Sequence, residues 1–159
     1  MLTKLKSLFE ALTAPSAQGS DVSPLADAEK IQFAAAVLLV EVMMADHHVD
    51  ESEIQRLLES LQRLFPITQE QSQELMQLAT VKHEKLVSLH DMTQILNASK
   101  NQDLKKKLIF AMWSIALADE NKDKYEEHLI RKVADLLYVS HADFIQARLR
   151  AETEYTERS

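Results

Sequence analysis

Acidic side chains occur twice with one spacing, A-D-x-x-x-D-x-x-E, at residues 45–53 and at residues 118–126. The carboxylates of the two segments are Asp46, Asp50 and Glu53, and Asp119, Asp123 and Glu126. Carboxylate oxygens are hard ligands that suit calcium, magnesium or manganese. The chemistry that these residues could carry is therefore the binding of a divalent cation or of a basic partner.

Helix capping explains some of these acids. Asp50 with Glu53, and Asp123 with Glu126, have the spacing of a capping box and predict two helix starts. Asp46 and Asp119 instead follow the predicted ends of apolar helices. Exposed carbonyls there already carry partial negative charge, so an acid is unfavourable unless something positive lies nearby. A bound cation, or a salt bridge to a residue such as Arg131 or Lys132, would account for the choice.

The second segment has the spacing of the first half of a calcium-binding EF-hand loop, with Asp119, Asn121 and Asp123. Lys124 stands where the loop needs glycine, and Ile130 stands where it needs glutamate. The first segment fails likewise, with His48 and Leu57 at the third and twelfth positions. Neither segment is an EF-hand, and we expect any cation site to be pooled from both.

Other candidates lie close to these segments. Glu41 interrupts the most apolar stretch, residues 33–45. It is either a ligand or proton-active group beneath the acidic loops, or a core carboxylate that reaches solvent or a hydrogen-bond partner. A zinc site at His47, His48 or His128 is the less favoured alternative to exposed polar histidines.

Composition predicts one all-α domain. The chain has 159 residues, of which 46% are hydrophobic, with one Gly and three Pro. Strong helix formers dominate, and so few breakers cannot serve the many turns of a β-sandwich. The net charge is −7, carried by residues 1–80, which makes the chain a poor general nucleic-acid binder. It has no cysteine and no run near the roughly 20 apolar residues of a membrane span.

Periodicity divides the chain into three parts. Residues 1–12 are predicted to form an amphipathic helix that either docks on its own domain or contacts a membrane surface or a partner. Residues 13–24 are a linker, and residues 25–155 form a helical domain. We expect seven or eight helices, with those after Ala26 and Asn101 apolar and central. Lys105, Lys106 and Lys107 should form a solvated face, and Trp113 should lie in the core.

A shift of 73 positions superposes the two acidic segments, and it also places Leu64 on Leu137 and Phe65 on Tyr138. In each case an apolar helix precedes the acidic segment and an amphipathic helix follows it. A shift of 72 then places the Thr68 cap on the Ser140 cap. We interpret the pattern as an internal duplication with two related helix–loop–helix halves.

The segments LLVEVMMADHHVDESEI and MWSIALADENKDKYEEHLIRKVADLLYVSHADFIQARLRA resemble the TerB-like (tellurite-resistance protein B-like) family of bacteria, over about residues 25–150. The more specific motifs are Y-E-E-H-L-I at 125–130 and D-F-I-x-A-R at 143–148. The resemblance implies an all-helical array with two related motifs, an acidic metal site, a role in tellurite and related stress resistance, and association with resistance proteins at the inner membrane. The family usually has Gly after each A-D, where this chain has His47 and Glu120.

The predicted function is that of a non-enzymatic, cytoplasmic, TerB-like protein that binds a divalent cation or a protein partner through a pooled acidic face. No nucleophile motif is visible, a single Gly excludes G-x-S-x-G and P-loop motifs, and no Glu-x-x-His of a di-iron bundle occurs. The alternative is a structural adaptor whose acids only cap helices and whose N-terminal helix contacts a membrane or partner.

Overall fold

The computed structural model describes residues 24–45, 49–84, 88–118 and 124–158. The predicted N-terminal helix at 1–12 and nearly all of the predicted linker lie outside these ranges. The described residues form seven helices and no strand. They are α1 Pro24–Met43, α2 Glu51–Leu64, α3 Gln69–Glu84, α4 Leu89–Ala98, α5 Gln102–Ala118, α6 Lys124–Leu136 and α7 His141–Arg158. The predicted all-α class is confirmed.

Helices α1 and α5 lie at the centre, as their sequences predicted. Every residue of α1 from Phe33 to Met43 is buried except Glu41, and α5 is buried throughout from Ala111 to Leu117. A helix that is apolar on all sides is stable only when neighbours cover it all round. Here α3, α4 and α6 cover α1, and α2 and α7 cover α5. Helices α1 and α5 also contact each other. All seven helices contribute to one buried cluster.

Local capping sets several helix starts. Thr68 and Gln71 cap α3 reciprocally, with Thr68 N donating to Gln71 Oε1 at 2.9 Å and Gln71 N donating to Thr68 Oγ1 at 3.1 Å. At α7, Asp143 N donates to Ser140 Oγ at 3.2 Å. These side chains satisfy backbone donors that have no partner within the helix. The bonds join residues three apart, and the sequence pattern could therefore locate them.

The helix starts repeat with the spacing of the sequence repeat. Helices α2 and α6 begin at Glu51 and Lys124, 73 residues apart, and α3 and α7 begin at Gln69 and His141, 72 residues apart. This order is what a duplication would produce. The relation between the two halves stays a prediction.

One detail differs from the sequence expectations. Lys105 is not on a solvated face, because it is only 6% exposed. Lys106 and Lys107 are exposed to solvent and form ion pairs with Asp143 at 3.6 Å and Asp103 at 3.0 Å. Three consecutive residues of a helix point in different directions, so one of them had to turn towards neighbouring helices. Within the described ranges, no helix is long and apolar enough to cross a membrane.

Candidate acidic site

The described residues include four of the seven predicted cation ligands. Asp50 is exposed, Glu41 is half-buried, and Glu53 and Glu126 are 0% and 2% exposed. Asp46, Asp119 and Asp123 lie outside the described ranges, as do His47 and His48. Among the described residues, no three or more His, Asp or Glu side chains are grouped so that they could hold a metal ion. His128 is exposed on α6.

Glu53 is buried at the start of α2. It is the third residue of the helix, and Asp50 is the N-cap, with extended backbone angles. The Asp50 backbone N–H donates to Glu53 Oε1 at 3.3 Å, so the predicted capping pair is present. The partial positive charge of the helix N-terminus also favours a carboxylate there. Burial of Glu53 is thus consistent with a structural role in the first turn.

Glu126 occupies the same third position in α6 and is also buried. Its predicted cap partner, Asp123, is outside the described residues. Glu126 lines a cavity of about 40 Å³. The other lining residues come from α5, α6 and α7: Trp113, Ala116, Leu117, Glu127, Arg148 and Glu152. The second buried carboxylate therefore lies where three helices meet.

A contact between α2 and α5 joins the ends of the two acidic segments. Ser52 Oγ donates to the Ala118 carbonyl oxygen at 3.4 Å. Ser52 lies in the first turn of α2, two residues after Asp50, and Ala118 is the last residue of α5. The end of the first acidic segment thus contacts the start of the second.

An arginine–aromatic cluster joins α5, α6 and α7. Its members are Arg131, Arg148, Trp113 and Phe144, with the carboxylates of Glu127 and Glu152. Arg148 Nη1 lies 3.4 Å from Glu127 Oε1, and Arg148 Nε lies 3.0 Å from Glu152 Oε1. Its guanidinium carbon is 5.1 Å from the centre of the Trp113 ring, within range of a cation–π interaction. The cluster links α5, α6 and α7 at one point.

Phe144 extends this cluster. The centres of the Trp113 and Phe144 rings are 5.7 Å apart with an interplanar angle of 56°. The Arg131 guanidinium carbon lies 4.9 Å from the centre of the Phe144 ring, and Arg131 Nη2 lies 4.0 Å from Glu127 Oε1. Two arginines thus stack on two aromatic rings and approach the same carboxylate oxygen.

A comparison with protein-family models finds one that covers most of the chain. The model described as tellurite resistance protein TerB matches residues 32–149. The chain belongs to the TerB family. Neither the curated proteins nor the solved structures compared with it gave a match.

The TerB match spans both acidic segments and the whole arginine–aromatic cluster except Glu152. The sequence placed Trp113 in the core and offered Arg131 as a salt-bridge partner for the acids, but it did not predict the contacts of Arg148 with Glu127 and Trp113. A signal was available, because Glu127 belongs to the motif at 125–130, and Phe144 and Arg148 belong to the motif at 143–148. The structure shows that these two motifs of the TerB region contact each other through Glu127 and Arg148.

A concavity larger than the 40 Å³ cavity lies elsewhere in the described part of this TerB chain. It is a groove of about 310 Å³ between α2, α5 and α7, and it contains none of the predicted cation ligands. Phe110 and Leu64 contribute apolar surface to it. The ion pair Arg63–Glu154, at 2.9 Å, crosses it from α2 to α7. Acidic side chains in the groove lie beside basic ones, as in Lys106–Asp143 and Lys107–Asp103, so the groove is not an acidic surface.

Proposed function

We propose that the chain is a non-enzymatic, tellurite-resistance-type stress-response protein whose two acidic segments form one face that binds a divalent cation. Membership of the TerB family supports the stress-resistance class. The observation that carries the cation site is the Ser52–Ala118 contact, because it joins the end of the first segment to the start of the second. The ligands are Asp46, Asp50, Glu53, Asp119, Asp123 and Glu126, with Glu41 beneath them.

Electrostatics supports a pooled site. Carboxylates held close together repel one another, and a divalent cation removes that repulsion. Calcium, magnesium and manganese all accept oxygen ligands, so the residues alone do not select among them. A cation held this way would also change the charge of the surface that a protein partner meets. The proposed setting is cytoplasmic, with peripheral association at the inner membrane.

The structural adaptor is the competing proposal, and the capping geometry favours it. Asp50 and Glu53 form a capping pair that needs no cation. Under this proposal the acids only stabilise helix starts, and the function lies in contacts made elsewhere, including the segment at residues 1–12.

Thermal unfolding of the full chain separates the two proposals. Millimolar calcium, magnesium or manganese should raise the melting temperature more than monovalent salt of equal ionic strength. A cation at a hundredfold excess over its dissociation constant stabilises the folded state by about 2.7 kcal/mol. The double variant Asp46→Asn with Asp119→Asn should lose this excess shift. It should also be more stable than the wild type without cation, because repulsion is removed.

Asp50→Ala and Asp123→Ala remove acids that cap helices as well as ligands, and they are compared with the double variant in the cation-free protein. Loss of a helix cap should destabilise the cation-free protein by about 1 kcal/mol, which is opposite in sign to the double variant. A wild-type melting temperature that is indifferent to all three cations would favour the adaptor. So would equal destabilisation of the cation-free protein by all four substitutions.

A further inference from the structure

Arg148 is held at three points by residues of three helices. It contacts Glu127 of α6 at 3.4 Å and Glu152 of its own helix at 3.0 Å, and it stacks on Trp113 of α5. An arginine guanidinium is a planar fork, so it can bond two carboxylates in its plane while an aromatic ring covers its face. A lysine ammonium has the charge but lacks this geometry. The arrangement therefore depends on arginine in particular.

The contact to Glu127 acts on the first turn of α6. Glu127 is the fourth residue of that helix and follows the buried Glu126 directly. The side chain of Glu127 is 42% exposed, so burial alone does not fix its conformation. The ion pair with Arg148 links it to α7. Helix α7 in turn packs on α5. A chain of contacts thus runs from the central helix to the start of α6.

The third contact of Arg148 is with Trp113. This tryptophan is 5% exposed, and its Nε1–H has no hydrogen-bond acceptor among the described residues. No directional bond from that group fixes the indole ring, so packing against Arg148 and Phe144 determines its position. Because Trp113 and Glu126 line the same 40 Å³ cavity, a change at Arg148 reaches the buried carboxylate through the ring as well as through Glu127.

We propose that Arg148 is a positioning residue for the second acidic segment: by bonding Glu127 and stacking on Trp113 it fixes the first turn of α6 and hence Glu126. Its effect on cation affinity rests on the proposed function above, whereas its effect on the helix start does not. Helix α7 therefore controls the position of Glu126 in the acidic face, and a partner that moves α7 would alter cation binding at that residue.

The test compares Arg148→Lys with Arg150→Lys in the full chain. Arg150 is the matched control, because it lies on the same helix and its guanidinium also covers an aromatic ring, that of Phe110 at 5.5 Å. Hydrogen exchange of the cation-free proteins is followed at residues 128–131, whose amides are the first with partners inside α6. The equivalent amides of α2, at residues 55–58, serve as an internal reference.

Arg148→Lys should raise exchange at residues 128–131 at least tenfold and leave residues 55–58 within twofold, and Arg150→Lys should change neither. Titration calorimetry with calcium, magnesium and manganese should then show affinity at least fivefold weaker for Arg148→Lys and unchanged for Arg150→Lys. Unaltered exchange in Arg148→Lys overturns the positioning role, whatever the cation result. Equal exchange increases in α2 and α6 also overturn it, since they indicate general loss of stability. A wild type that binds none of the three cations overturns the proposed function but not the positioning of α6.

Discussion

The helix starts that follow the two acidic segments are alike, but their surroundings differ. Glu53 and Glu126 each occupy the third position of a helix, and each is buried. At α2 the contacts include the Asp50 capping pair and the Ser52–Ala118 hydrogen bond. At α6 an arginine from α7 also holds the first turn through Glu127. A repeated local pattern therefore does not carry a repeated tertiary environment with it.

The ends of the same two helices differ even more. Phe65 is extended, with φ −136° and ψ 150°, and is 9% exposed. Tyr138, which falls on Phe65 in the sequence repeat, has a left-handed φ of 58° and is 76% exposed. Pro66 explains the first geometry, because the residue before a proline avoids the helical region. No proline follows Tyr138, and α6 ends instead with a left-handed turn.

The largest effects should come from a matched pair of core residues. Leu57 and Ile130 lie 73 positions apart, and both are 0% exposed. Replacing either with Ala removes buried methyl groups and leaves a cavity, so each variant should lose about 3 kcal/mol in a urea titration. Losses that differ by more than about 2 kcal/mol would show that the two halves are not packed equivalently.

Smaller losses should follow from removing the buried glutamates. Glu53→Ala and Glu126→Ala should each destabilise the cation-free protein by about 1 kcal/mol, because each removes a carboxylate from a helix N-terminus. Glu53→Gln and Glu126→Gln should lose less, since glutamine also serves in a capping box. Chemical denaturation without divalent cation measures both pairs. A Glu126→Ala loss several times that of Glu53→Ala would mean that the carboxylate does more than stabilise the start of α6.

The smallest effect, and the one of opposite sign, is expected at the end of α6. Tyr138→Gly should stabilise the protein by about 0.5–1 kcal/mol, because glycine adopts a left-handed conformation without the steric penalty of a Cβ atom. Little contact is lost, since Tyr138 is largely exposed. Phe65→Gly, the control at the aligned position, should destabilise the protein strongly because Phe65 is buried. A lower melting temperature for Tyr138→Gly would contradict the interpretation of this helix end.

The sequence by itself determined the helical class and most helix boundaries. The Thr68–Gln71 and Ser140–Asp143 bonds join residues three apart, and such short-range geometry is readable without knowing the fold. The central place of α1 and α5 also followed from sequence, because a helix that is apolar all round must be covered.

Tertiary structure alone decided which distant residues meet. The contact between Glu127 and Arg148 spans 21 positions, and that between Ser52 and Ala118 spans 66. No periodicity encodes either contact, because the angle and offset at which helices pack depend on all the side chains between them. The burial of Lys105 and the full burial of Glu53 and Glu126 have the same origin. The spacing in the sequence identified which acids could act together. Packing determined that Glu53 and Glu126 are the buried ones, and that Arg148 contacts the helix that carries Glu126.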